Sequence, residues 1–234
     1  MVTVVSHAGI ANRIKNLLSA MAQHGDVSTL HDTISFIFPS LKKVEKVEEE
    51  YPEDWRLYVS SEEEKHIPDY KTIDLLYEKT PEYFVKKYLD IIHNLKINSE
   101  IIEYVSEFTD AWDDMVGVHI RSWYCPKKVF HSNGIFEEQI DKLPKDKKFF
   151  FCSDNSDVQQ HFLDKYGDRV VTYERQIFND PKLAESGHHD DIQLTTDAFI
   201  ELLILSKCAT IIGTYDSTFD EVAWWMGGCK SKVI

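Results

Sequence analysis

Apolar residues along this chain keep two rhythms, and the changes between them mark out the elements. Val2–Ser6 reads as a short strand and Gly9 as a turn. From about Ile10 to His24 the chain reads as a helix, because Ile14, Leu17, Leu18 and Met21 recur at helical spacing. Strand, turn and helix together open a half-Rossmann unit. Weaker strand signals follow around Ile34–Phe38 and Trp55–Val59. From Pro81 to Asp110 the pattern is helical again: Thr80 suits a cap, Pro81 suits a first turn, and Tyr83, Phe84, Tyr88, Ile91 and Ile92 form a stripe. A second helix is expected over Ser99–Phe108.

After a boundary at Asp110–Asp114 short apolar strands alternate with amphipathic helices. Strands are predicted at Met115–Ile120, Lys148–Cys152, Arg169–Tyr173 and Ala209–Ile212. Helices are predicted at Gly134–Leu143, Ser156–Tyr166 with Asp154 or Ser153 near its cap, Ile192–Lys207, and Ser217–Met226. Strands apolar on both faces and separated by helices imply an α/β fold with a parallel sheet covered on both sides. Ligands of such sheets lie beyond the carboxyl ends of the strands.

Composition narrows the classes. The 234 residues, 43% of them hydrophobic, suffice for one large or two small domains without staples. The net charge of −14 excludes general affinity for nucleic acid, so any anion site must be local. Nine acidic residues against two basic ones between Glu45 and Glu64 read as a solvated surface. No apolar run is long enough for a membrane span, and Met1–Ser6 lacks the features of a signal peptide, so a cytoplasmic protein is expected. Cys125, Cys152, Cys208 and Cys229 show no zinc spacing and read as structural thiols, Cys152 and Cys208 inside apolar stretches.

Three segments carry candidate chemistry. In Val116-Gly-Val-His119-Ile-Arg121 alternation puts His119 and Arg121 on one side of a buried strand. Arg121 there is either salt-bridged to a carboxylate or aimed at an anion, for which its planar fork matches diphosphate oxygens. In Gly213-Thr214-Tyr-Asp216-Ser217-Thr218 hydroxyls and backbone amides converge on a helix start, a place that suits phosphate, although Asp216 or Ser217 equally serves as a plain cap. In Gly9-Ile-Ala-Asn12-Arg13 a single glycine and Asn12 offer amide donors, or simply open a helix.

Together these segments resemble the fucosyltransferase superfamily that includes nodulation, α-1,2-, α-1,6- and protein O-fucosyltransferases. The likeness rests on His119-Ile-Arg121, on the unit from Asp197 through Glu201 to Ser217-Thr-Phe, and on Gly9-Ile-Ala-Asn12-Arg13, and covers residues 1–20 and 115–228 in order. It implies a GT-B-like fold of two Rossmann-like parallel-sheet domains: residues 1–114, reduced and on the acceptor side, and residues 115–234, which bind the nucleotide sugar. It implies GDP-fucose as donor substrate, no cofactor and no metal. Gly9, Asn12, Arg13, His119, Arg121, Glu201, Thr214, Ser217 and Thr218 would then form the donor site. Arg121 would bind the β-phosphate and assist departure of GDP, Ser217 and Thr218 would meet phosphate oxygens, and Glu201 would read guanine. Ser122 stands where many members carry a second arginine, and Asp216 where they carry a small or neutral residue.

The function implied is transfer of fucose, with inversion, to a glycan or other hydroxyl acceptor. A same-fold transferase using another nucleotide sugar, or a non-catalytic nucleotide- or glycan-binding module, are the alternatives. His7, His131 and Glu137 are equivalent candidates for a general base, and Trp123 and Tyr124 either stack on sugar or pack in the interior. The run Glu185, His188, His189, Asp190 and Asp191 reads as a polar loop rather than a metal site, and Asp154-Asn-Ser-Asp157 as a helix cap.

Overall fold

A computed structural model describes residues 1–6, 8–51, 82–122, 132–177, 191–214 and 217–234. Two sheets, both wholly parallel, account for its strands. The first is small. β1 (Thr3–Val4), β2 (Ser28–Thr29), β3 (Lys42–Lys43) and β4 (Glu50–Tyr51) lie in the order β3-β2-β1-β4, each two residues long. Helix α1 (Ile10–His24) follows β1 with Gly9 as its N-cap residue. Of the apolar stripe read from the sequence, Ile14, Leu17 and Leu18 are fully buried and Met21 is partly buried.

The strand expected at Ile34–Phe38 is instead helix α2 (Asp32–Ile37). Its β-branched and aromatic residues invite the strand reading. Yet Thr33, Ile34 and Ile37 are the buried positions, a helical spacing that six residues are too few to advertise. Helices α3 (Glu82–Asn94) and α4 (Ser99–Thr109) occupy the predicted stretch, α4 capped by Asn98, whose side chain accepts the Glu100 amide at 3.0 Å. The expected strand at Trp55–Val59 and the Thr80-Pro81 helix start lie outside the described residues.

The second sheet comprises β5 (Val116–Ile120), β6 (Phe149–Ser153), β7 (Val170–Val171), β8 (Thr210–Ile212) and β9 (Lys232–Val233), ordered β7-β6-β5-β8-β9. Helices α5 (Asn133–Ile140), α6 (Ser156–Tyr166), α7 (Ile192–Leu205) and α8 (Thr218–Met226) connect them. Chain order runs outward from β5 in one direction and then, after β7, returns to build on its other side. The sheet therefore changes direction between β5 and β8, the switch point where a crevice opens in doubly wound folds.

Alternation along these strands sorts the interior. Val116, Val118, Ile120, Phe149 and Phe151 point to one face and pack with Phe136 and Ile140 of α5 and Phe162 of α6. Phe150, Cys152 and Ile211 point to the other, into a core that contains α4, α7 and α8 together with Val2, Val4 and the buried stripe of α1. Gly117 lies on this second side, and a Cβ there would come within 2.5 Å of Leu205 Cδ1 and 2.9 Å of Cys208 Sγ. Helix α7 packs that close to β5 because position 117 carries no side chain.

Candidate functional site

The carboxyl ends of β5 and β8 are tied together by side chains. The Thr214 hydroxyl donates to the His119 carbonyl at 3.0 Å and accepts the Arg121 amide at 2.8 Å. His119 itself is buried, stacks on Phe219 with ring centroids 4.6 Å apart, and places Nδ1 2.7 Å from Asp220 Oδ1. Asp220 Oδ2 accepts the Thr214 amide at 2.9 Å. Gly213 permits this approach, since a Cβ there would lie 2.9 Å from Asp220 Cγ. His119 and the Thr214 hydroxyl are thus spent on architecture: they fix where the strand ends and where α8 begins.

What that architecture presents is Arg121. Its side chain is 53% exposed, with Nε 3.3 Å from Asp154 Oδ2 and no other ion-pair partner among the described residues. Asp154 is held in turn by the Ser122 amide at 2.8 Å and hydroxyl at 3.3 Å. An exposed pair of this kind is weak, about 0–1 kcal/mol, so the guanidinium is oriented at its edge but free to engage an anion. The salt-bridge reading of Arg121 is met by Asp154, at a contact that leaves about half of the side chain exposed.

Helix α8 begins beside it. Ser217 caps the helix by accepting the Phe219 amide at 3.3 Å, which is the plain reading of that residue; Asp216 lies outside the described residues. Two acids, Asp220 and Glu221, occupy the first turn. Glu221 is buried and meets Lys15 of α1 at 2.5 Å, the two side chains being 1% and 0% exposed. Lys15 is in the second turn of α1 and Glu221 in the first of α8, so the N-terminal ends of both helices come to the same side of the molecule. There Asn12 Oδ1 is buried with no hydrogen-bond partner among the described residues, while Arg13 is buried and donates from Nε to the Ala8 carbonyl at 2.7 Å.

Glu201 is 2% exposed on α7, an acid on a mostly apolar helix that needs a partner from elsewhere in the chain. The structure supplies Arg175, which lies beyond β7 and donates from Nε at 3.0 Å and from a terminal nitrogen at 2.8 Å, both to Oε2. The same terminal nitrogen reaches the Ser153 carbonyl at 3.1 Å, next to Asp154. Burial opposes the charge of Arg175, but Glu201 beside it more than compensates and holds the guanidinium charged. Oε1 of Glu201 is buried and has no hydrogen-bond partner among the described residues. Two residues before Arg175 comes Tyr173, whose hydroxyl donates to Asp197 Oδ1 at 2.9 Å, one helical turn from Glu201. Burial, then Asp197, pushes the Tyr173 phenol upward.

Among the candidate bases, Glu137 accepts from Lys165 at 2.6 Å and lies 2.6 Å from His161. His161 and Lys165 hold its carboxyl below the usual range, which is the wrong direction for a base that must take a proton near neutral pH. His7 and His131 lie outside the described residues, as do Trp123, Tyr124, Glu185, His188, His189 and Asp190. Asp191 caps α7, accepting the Leu194 amide at 2.9 Å. The segment Asp154-Asn-Ser-Asp157 does cap α6, through Asn155 next to Asp154, its side chain accepting the Asp157 amide at 2.9 Å. Asp154 turns instead to Ser122 and Arg121. No cluster of three or more His, Cys, Asp or Glu side chains suited to a metal occurs among the described residues, and no helix there is long and apolar enough to cross a membrane.

No protein-family model matches the chain, and no curated protein matches it in sequence. Solved structures do match. Fucosyltransferase NodZ from Bradyrhizobium aligns with a TM-score of 0.56 at 17% identity, over 95% of this chain and 90% of that one. NodZ α-1,6-fucosyltransferase soaked with GDP-fucose aligns at 0.53 and 16%, over 96% and 92%. The same enzyme co-crystallised with GDP aligns at 0.53 and 15%, over 95% and 91%. At these identities the likeness is one of fold: the chain has the GT-B-like fold of these fucosyltransferase structures, two parallel sheets with the first reduced.

Proposed function

We propose that this protein is a glycosyltransferase that takes a sugar from a GDP-sugar, GDP-fucose in particular, and delivers it to a hydroxyl of a glycan or other acceptor. The observation that carries the reading is Arg121, a half-exposed guanidinium held at the switch point of a parallel sheet beside a helix N-terminus. Its support is the shared fold with enzymes solved with GDP and GDP-fucose. In this reading residues 115–234 form the donor domain and residues 1–114 face the acceptor.

The chemistry follows from charge. As the bond from the anomeric carbon to the β-phosphate oxygen breaks, negative charge grows on GDP, and preorganised donors lower that barrier. Arg121 and the first-turn amides of α8 that Ser217 leaves unreached serve this purpose without a metal. Ser217 and Thr218 approach phosphate oxygens, and Asn12 Oδ1 is an acceptor for a hydroxyl of the ligand. Glu201 Oε1 accepts from the guanine edge, its other oxygen being held by Arg175. Direct attack by the acceptor hydroxyl from the opposite side inverts the anomeric centre. Gly9 and Arg13 shape the opposing turn.

Calorimetric titration with GDP, UDP and ADP, with and without chelator, tests the reading. GDP is expected to bind selectively and equally with chelator present. Arg121→Ala should weaken GDP by on the order of ten- to a hundredfold, the worth of one or two charge-assisted hydrogen bonds. Unchanged affinity in Arg121→Ala would overturn it.

A further inference from the structure

The first turn of α8 carries two carboxylates, Asp220 and Glu221, at the helix end proposed to hold a diphosphate. Acids in a first turn normally suit the helix dipole, but here they compete with an anionic ligand for the same positive end. Each is answered by a different element. Asp220 faces His119 of β5 and the Thr214 amide. Glu221 is met by Lys15, which comes from the helix of the first sheet. A lysine fully buried on a helix gives up its hydration and packs no better than a methionine, so its presence calls for a reason beyond stability.

We infer that Lys15 is a positioning residue for donor binding: it cancels the charge of Glu221 and so leaves the α8 N-terminus able to take a diphosphate. The inference rests on the proposed placement of the donor's diphosphate at that helix. It also makes the first sheet a contributor to donor affinity through a residue that need not touch the donor. The effect is electrostatic and local. Within about 10 Å of the phosphates an uncompensated buried carboxylate is felt, whereas a close ion pair is nearly neutral.

Because the effect is one of charge, the two halves of the pair should act in opposite directions. Lys15→Met is expected to weaken GDP about tenfold and GMP, which lacks the β-phosphate, by much less. Glu221→Gln is expected to tighten GDP severalfold although it lowers the melting temperature, and Lys15→Met combined with Glu221→Gln to return GDP affinity to near the wild-type value. A purely structural pair would weaken GDP in both single variants, in step with lost stability. That outcome, or no change in either, overturns the inference. If Lys15→Met does not fold, Glu221→Gln decides alone: tighter GDP binding supports the inference, and equal or weaker binding overturns it. Arg121→Ala, titrated in parallel, separates the two failures. Loss of GDP in Arg121→Ala with like-signed shifts at Lys15 and Glu221 leaves the function standing and removes only the role of Lys15.

Discussion

One carboxylate oxygen of Asp220 lies 2.7 Å from His119 Nδ1, while its other oxygen accepts the Thr214 amide at 2.9 Å. The group is buried, and both its contacts lie at the switch point of the sheet. Asp220→Ala should therefore cost about 3–5 kcal/mol of unfolding free energy, as expected for loss of one member of a buried polar pair. Asp220→Asn, which keeps one acceptor for the Thr214 amide, should cost less. Urea unfolding of the three proteins checks the order.

Arg175 and Glu201 form a further pair, with the Glu201 carboxylate buried and the Arg175 side chain 14% exposed. Arg175→Met leaves the Glu201 carboxylate uncompensated and is expected to destabilise by about 3–5 kcal/mol, whereas Arg175→Met with Glu201→Leu should recover most of that loss. The recovered double variant should nevertheless bind GDP and ADP alike. Thermal unfolding reads the first effect and calorimetry the second.

The thiols should be silent in the native protein. Burial pushes Cys152 and Cys208 upward, and Cys229 up to about 12. At pH 8 the thiolate fraction of Cys229 is then on the order of one in ten thousand, and the thiolate is the reactive form. A Cys125→Ser variant treated with a thiol reagent should show no fast reaction until denaturant is added, when three thiols should appear.

Glu137 supplies a pH test. Its folded-state pKa is lowered by His161 and Lys165, so its contribution to stability is present above the ordinary carboxylate value and is lost as pH falls through the lowered one. The stability difference between wild type and Glu137→Gln should be constant near neutral pH and vanish in acid. The pair is partly exposed, so the difference is small and should shrink further in high salt.

Much of this architecture is legible in the residues. α1 starts and stops where the spacing of Ile14, Leu17 and Leu18 says, and α6 spans Ser156–Tyr166 as read. Long periodic segments announce themselves because burial repeats. The site is less legible. Asp220 follows an apolar residue in a helix start and looks like any first-turn acid. Its signal was Gly213, whose lack of a side chain is explained only by what packs against it. Arg175 sits in a polar stretch with no periodicity, so nothing local ties it to Glu201, 26 residues on. Lys15 interrupts the buried stripe of α1 with a charge, and that interruption is itself a signal: a cation at an interior position of a periodic helix demands an acid from elsewhere in the chain.

The two sheets drain into a single interior, where Val4 and Leu18 share a cluster with Phe199 and Trp225. Cutting the chain at residue 114 would bare oily surface on both pieces, so each fragment expressed alone should aggregate or seek the other. Mixed together, they should re-form the whole, and melting of the intact chain should proceed as one event. With its two sheets sharing one core, the protein is expected to respond to mechanical load as one body rather than as two lobes on a hinge.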